Sequence, residues 1–488
     1  MSECRKCKQS SCAETGSRRR FLTAAGAAAV AVQLDALDYA SSLFGAEEKP
    51  RVKTSDKPLI SVAFALRTEG GKWWPAGTTE QLAQIRTQYE KILTDAAKKL
   101  GMRLDIVPEP LKDDAVYLEH VKKTSPDGQI LMALDLKEWG PVFKIAEQRG
   151  DIPTIVYANV SNFTRVLDTV PKGPGIYLGS THDVNWLEHA MRLLNTVWRS
   201  KRMRVIDCPG EGYAEAFDKV TESDELRAVA DFYMKTAKGI VEPARMHNIL
   251  AAKHYLVLRR LIDEGNYDGC TVRGDLCVGA DGPTSNPACV ALSKLLDEGV
   301  VAACEGDQAA AMCQFLTLSL LDLPGLMGNP SVDTVKNWMV VSHCTSALKL
   351  EGIHQDYRAP FTLRDFHNTG GGVCPMVAWP IGKRATIMDF HEDALSLGTG
   401  RVVANTEDFA QPPCGGCRTT VGFELDDVRD VLKTGSGHHQ WCVLGDVTRS
   451  LHAYCQLADV KVADLTGEPI ALSAVMRDEE WKGTATLV

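Results

Sequence analysis

The 488-residue chain lacks three things that would narrow its class at once: a surplus of basic residues, an apolar run long enough to span a bilayer, and a matched set of Cys-x-x-Cys pairs. With 54 Lys and Arg against 63 Asp and Glu the formal charge is -9, and nucleic-acid binding, which needs a basic surface, is not expected. No stretch approaches the ~20 apolar residues of a spanning helix, so no membrane span is expected in the mature protein. Fifteen cysteines fall in no disulfide-scaffold pattern, and Cys208, Cys270, Cys289, Cys304, Cys313 and Cys344 sit inside apolar stretches where buried thiols are common. Cys414-Gly415-Gly416-Cys417 has metal or redox spacing without a second pair at a matching distance. A turn with two thiols is the favoured account, with a disulfide as the alternative in an oxidising compartment. What remains, 44% hydrophobic and 24% charged residues, is the composition of a globular chain, long enough for several domains of roughly 100–200 residues.

The N-terminus carries an address. Ser17-Arg18-Arg19-Arg20-Phe21-Leu22, followed by the mildly apolar run from Thr23 to Val32, has the form of a twin-arginine export signal, so a periplasmic or other extracytoplasmic location is expected. Cleavage after Ser42 and cleavage after Ala46 both fit. Removing residues 1–42 takes six Lys or Arg and four Asp or Glu with it, which leaves the chain more acidic, at -11. Cys4, Cys7 and Cys12 would be lost with the signal.

Beyond a charged lead, strand and helix patterns alternate. Apolar runs at 58–65, 103–107, 129–134 and 153–158 read as buried strands, with helical periodicity at 79–100, 114–123 and 140–148 between them. A second series comes next: helices near 184–198, 243–264, 286–297 and 307–321, and strands at 203–207, 268–272 and 300–304. This alternation predicts an α/β fold with parallel sheets. After about residue 350 the segments are short, β-rich and broken by Gly or Pro, as in a small barrel or sandwich, with one further helix expected over 426–433. Gly370-Gly371-Gly372 introduces a strand, so a tight loop is expected there and not a phosphate cradle. The expected organisation is a signal and lead over 1–46, α/β domains over 57–180 and 181–350, and a β-rich domain over 351–488.

Three separated segments put carboxylate or imidazole beside short β-like runs: Ala302-Ala303-Cys304-Glu305-Gly306-Asp307, Val341-Ser342-His343-Cys344 and Gly437-His438-His439. Strand ends of an α/β core converging on one divalent cation would produce this pattern. Glu305 stands at the carboxyl end of a predicted parallel strand, the edge where open sheets bind ligands, beside a helix N-terminus that favours an ionised carboxylate. Trp73, Trp74 and Trp379 are aromatic candidates for stacking on the apolar face of a ligand, or for packing.

These segments, together with Met327-Gly328-Asn329-Pro330 and Gly415-Gly416-Cys417-Arg418-Thr419, resemble the L-fucose isomerase and L-arabinose isomerase superfamily over about residues 265–460. The resemblance implies two Rossmann-like parallel-sheet domains followed by a C-terminal domain with a β-barrel, and a homo-oligomer, a hexamer in this family. It also implies an aldose–ketose isomerase acting on a small-molecule sugar with Mn²⁺ or another divalent metal. Carried over by position, Glu305 is the first metal-binding carboxylate and takes part in proton transfer. His439 is the metal-binding histidine, preferred to His438. His343 aligns with a ligand of one branch and a supporting residue of the other. The second family carboxylate falls on Asn329, which brings a carbonyl oxygen but neither charge nor basicity. Asp333 and Asp307 are the acids near enough in sequence to substitute. The expected ligand set is therefore Glu305, Asn329, His343 and His439, with Glu305, Asn329 and Asp333 as the catalytic group. A homologue that kept the fold as a carbohydrate-binding protein, and a lyase or epimerase sharing the enediolate, are the competing expectations.

Overall fold

The computed structural model describes residues 57–464 apart from 70–76, 136–137, 159–168, 275, 277–285, 392–393, 411–415, 430 and 432–437. The export segment, the lead, Trp73, Trp74 and Cys414 lie outside the described residues. So do residues 430 and 432–433 of the helix expected over 426–433. Among the described residues no helix is long and apolar enough to cross a membrane.

The chain begins with strand β1 (Leu59–Ala65), helix α1 (Thr79–Lys99), β2 (Arg103–Ile106), α2 (Asp114–Thr124), β3 (Gly128–Ala133), α3 (Trp139–Glu147), β4 (Thr154–Ala158) and β5 (Ile176–Ser180). The strands form one wholly parallel sheet in the order β2-β1-β3-β4-β5. β1, β3 and β4 are buried along almost their whole length, as continuous apolar runs must be when helices cover both faces. Local chemistry agrees with the element boundaries. Thr78 and Gln81 form a reciprocal capping box at the start of α1, and Asp113 caps α2 through the Ala115 N–H.

Helix α4 (Trp186–Ser200) leads to β6 (Val205–Cys208), α5 (Tyr213–Lys219), α6 (Asp224–Thr236), the two-residue β7 (Gly239–Ile240), α7 (Arg245–Gly265), β8 (Gly269–Val272), α8 (Cys289–Asp297), β9 (Val301–Ala303) and α9 (Gln308–Leu321). β6, β8 and β9 form a second, three-stranded parallel sheet. Its last strand delivers Glu305.

Then come β10 (Leu326–Asp333), β11 (Trp338–His343), β12 (Phe361–Arg364), β13 (Cys374–Val377), β14 (Arg384–His391), β15 (Ala394–Asn405), β16 (Thr419–Glu424), β17 (Gln440–Leu444), α10 (Thr448–Ala458) and β18 (Lys461–Asp464). Six of these strands, in the order β14-β17-β10-β11-β16-β15, pair antiparallel throughout, and β14–β15 pairing closes the ring into a barrel. β18 adds in parallel outside it, against β15. The barrel thus starts at Leu326, earlier than the change of sequence texture near 350 suggests. β12 and β13 leave the barrel altogether and pair with β7 in a small sheet of their own.

The barrel and the β9–α9 unit are locked together by polar contacts across otherwise apolar packing. Trp441 Nε1 on β17 donates to Thr317 Oγ1 on α9 at 2.9 Å, the Cys304 N–H points at Met327 Sδ on β10 at 3.3 Å, and Gln314 Nε2 of α9 points at the same sulfur at 3.8 Å. At Gly328 β10 and β11 come so close that a Cβ would lie 2.8 Å from Val341 Cγ1 and 2.9 Å from the Ser342 carbonyl. The result is that the end of β9 is held against the ends of β10 and β11.

Candidate metal centre

At the end of β9 the chain turns through two successive left-handed residues, Glu305 (φ 57°) and Gly306 (φ 73°), before Asp307 caps α9. For glycine this conformation is free; for Glu305 it costs about 1–2 kcal/mol, a strain maintained only where the surroundings fix it. The Gly306 N–H is tied to the Val272 carbonyl at 3.0 Å, so the loop is anchored to β8. Its effect is to hold the Glu305 carboxylate at the mouth of the barrel, one third exposed.

Three imidazoles surround that carboxylate. His343 Nε2, at the end of β11, lies 3.5 Å from Oε1; His438 Nε2 lies 2.9 Å and His439 Nε2 3.4 Å from Oε2. Donor atoms of Glu305, His343 and His439 all lie within 4.8 Å of one another, which is close enough for one cation. Burial works to raise the Glu305 carboxyl, but its hydrogen bonds to His343, His438 and His439 outweigh this and hold it well below the usual carboxylate range.

The two buried histidines differ in what their second nitrogen does. His439 is wholly buried, and its Nδ1 lies 2.8 Å from Asp307 Oδ2, which makes Nδ1 the donor and turns Nε2 toward Glu305. Nε2 is buried, with Glu305 Oε2 at 3.4 Å as the group it faces. Burial disfavours a charged ring here, yet Asp307 and Glu305 raise His439 to about 9. His343 is the reverse. Its Nδ1 accepts the Thr345 N–H at 3.2 Å, so in the neutral ring the proton stands on Nε2 and points at Glu305. Burial lowers His343 and outweighs the Glu305 contact, so that neutral form is favoured. His439 therefore has the character of a ligand backed by a carboxylate, and His343 that of a hydrogen-bond donor that steadies Glu305.

The remaining expected residues take other places. Asn329, on β10 opposite Ser342, donates from Nδ2 to the His438 carbonyl at 3.3 Å and so ties down the segment carrying both histidines. Asp333 sits four residues further along β10, about 13 Å away at strand spacing. Its Oδ1 accepts the Val335 and Lys336 N–H groups of the β10–β11 hairpin, at 3.0 and 2.9 Å. Of the two acids considered as substitutes, Asp307 is the one in contact with His439, while also accepting the Ala310 N–H as helix cap. His438, passed over in favour of His439, touches Glu305 as well. Trp379 is buried, donates to Ser346 Oγ and packs edge-on against Phe423, so it is a core residue.

No family model matches the chain, and no curated protein matches it either. A function for the chain has to be read from its fold, from the geometry around Glu305 and from the motifs of its sequence.

Proposed function

We propose that this chain is a metal-dependent sugar isomerase-like enzyme of the L-fucose and L-arabinose isomerase superfamily, interconverting an open-chain aldose and its ketose through an enediol. One observation carries the reading: buried His439 Nε2 lies 3.4 Å from an ionised Glu305, His343 Nε2 lies on the other side of that carboxylate, and Asp307 holds the opposite nitrogen of His439. A divalent ion between Glu305 and His439 would take the place of the proton that His439 carries there. With carboxylate and imidazole donors, a divalent ion such as Mn²⁺ fits, and it would supply Lewis acidity at the sugar's carbonyl and hydroxyl oxygens.

The protein's own residues then divide the work. Glu305 and His439 hold the cation, Asp307 keeps His439 in the right tautomer, and His343 orients Glu305. The Glu305–His438 pair is the exposed part of the cluster, and it would lift a proton from a sugar carbon and return it to the neighbouring one. The strand order β2-β1-β3-β4-β5 is one of the doubly wound orders, which supports the Rossmann-like reading of the first sheet. On sequence grounds the proposal includes twin-arginine export and a homo-oligomer, a hexamer by resemblance.

One observation favours a second reading, a carbohydrate-binding homologue that has lost catalysis. Where the family's second carboxylate aligns, Asn329 supplies a hydrogen bond to backbone and no charge. Metal analysis of the purified chain, with a ketose-forming screen over deoxy and pentose sugars, separates the two. Turnover is expected in the native chain and a loss of roughly 10²–10⁴-fold in Glu305→Gln, the usual contribution of one acid–base group. Sugar binding without turnover in both forms supports the binding protein, and unchanged turnover in Glu305→Gln removes that residue from the mechanism.

A further inference from the structure

A second set of donors converges next to the first. Cys289 opens α8, Cys344 follows β11, His367 lies in the turn after β12, Cys374 opens β13 and Cys417 precedes β16. They form two triads, Cys289–Cys344–Cys374 and Cys344–His367–Cys417, in each of which the ligand atoms lie within 4.8 Å of one another. Cys344 belongs to both. All four thiols are buried, and the ordinary role of such thiols is that of small hydrophobes packed around Phe366.

The details go beyond packing. Cys417 Sγ lies 3.5 Å from His367 Nε2, and the Arg418 N–H points at Cys344 Sγ at 3.3 Å, a contact that favours a thiolate. His367 and Asn368 both adopt left-handed backbone, φ 49° and 60°, and the His367 ring stacks on Phe366 at 4.0 Å, which fixes it beside Cys417. His367 is only half-buried, so the thiols have an approach from outside. Tetrahedral zinc with sulfur at about 2.3 Å needs ligand atoms roughly 3.8 Å apart, a spacing these triads allow.

We propose that Cys344, Cys417 and His367 form a three-ligand site for one soft cation of the zinc class, with its fourth position left to water, separate from the Glu305 centre. Thiolate and imidazole donors select such ions over Mn²⁺. The Cys344 contact together with burial pushes the Cys417 thiol well above its ordinary value, so loading displaces protons. The bound ion would join the end of β11 to the turn after β12 and to the start of β16. Since Cys344 follows His343, it would also fix the imidazole that orients Glu305.

The test is cobalt and zinc titration of the full chain, purified under reducing conditions and stripped of metal. Thiolate-to-metal charge-transfer absorption that saturates at one thiolate-bound cobalt ion per chain, whatever cobalt the Glu305 centre also takes, and that zinc displaces, is expected. Glu305→Gln should keep that absorption. Cys417→Ser and His367→Gln should weaken zinc binding by at least roughly a hundredfold, the upper end of what losing a ligand's hydrogen-bond partner costs. His367 is exposed enough that its variant reports on the site even where a buried cysteine variant fails to fold. The proposal is overturned by the absence of charge-transfer absorption at saturating cobalt, by absorption that survives Cys417→Ser, or by a disulfide joining Cys344 to a neighbour in chain purified without reductant.

Discussion

His343 and Cys344 are consecutive, yet the clusters they serve solve the problem of buried polarity in different ways. Around Glu305, charges are kept and paired: two carboxylates are held ionised against burial by imidazoles, and His439 is raised in turn. Around Cys344, burial pushes thiols up until they are neutral, and charge is confined to the Arg418–Asp365 pair behind them. A cation entering the first cluster competes with one proton on a histidine. In the second it must displace protons from sulfur. The lesson is that adjacency in sequence says little about electrostatic setting, since a strand end can border a wet carboxylate mouth and a dry thiol pocket at once.

The largest expected effect outside the Glu305 variant tests whether that confined charge supports the thiol pocket. Arg418 is 4% exposed; its Nε donates to the Asp365 carbonyl at 2.7 Å and its guanidinium pairs with the Asp365 carboxylate, which also accepts the Gly370 N–H at 2.6 Å. Asp365→Ala leaves a buried cation without its counterion, at a cost of about 3–5 kcal/mol. Urea denaturation measures it; a loss under about 1 kcal/mol would mean that water reaches Arg418 and the contrast between dry and wet pockets fails.

The next test is the pH dependence of the metal-free chain. His439 is raised from 6.5 to about 9 in the fold. Its stabilisation is thus fully present below pH 6.5 and lost as pH rises toward 9, at most about 3 kcal/mol by linkage. Denaturation midpoints should fall across this window, and His439→Gln should flatten the curve. Affinity for a divalent ion at the first site should rise over the same range, because the ion takes the proton's place. A flat native profile would show that His439 is neutral when metal-free.

Much of this arrangement was readable from sequence where one segment carries its own signal. Strands β1, β3 and β4 announce themselves as unbroken apolar runs, and Glu305 as an acid between a strand and a capped helix. The barrel was harder. β10 contains Gly328, Asn329 and Pro330, residues that argue against a strand, and its partners β11 and β17 supply the order that its own composition does not. β12 joins β7 across more than a hundred residues through two register pairs, a long-range choice without a local cue. The Asp307–His439 contact and the His438 approach to Glu305 likewise span over 130 residues. Cys417 has ligand spacing only with Cys414, Cys344 has none with either, and only the fold reveals that Cys417 faces His367.

A smaller effect is expected at Asp307. Asp307→Asn can still accept the Ala310 N–H as helix cap, so the fold should tolerate it, but the charge behind His439 is gone. Metal affinity at the first site should drop roughly 10–100-fold, the usual cost of losing a ligand's carboxylate partner, with turnover at saturating metal less affected. Cobalt absorption from the thiol pocket should not change. If both sites weaken together, the two clusters are coupled and the distinction drawn between them is too sharp.

Asp333 gives the smallest effect and the cleanest discrimination between the two acids that sequence offered in place of the missing carboxylate. Its Oδ1 closes the β10–β11 turn through two backbone N–H groups, at 3.0 and 2.9 Å, with nothing of the Glu305 cluster among its hydrogen-bond partners in the described residues. Asp333→Ala should cost about 1 kcal/mol in stability, the typical net worth of such bonds at an exposed turn, and leave metal affinity and turnover unchanged. The reason is distance along a stiff strand: four residues at about 3.3 Å each cannot be recovered by a side chain as short as aspartate. Loss of turnover in Asp333→Ala with the fold intact would mean that the hairpin rearranges when sugar binds, and Asp333 would then replace Asp307 as the acid that compensates for Asn329.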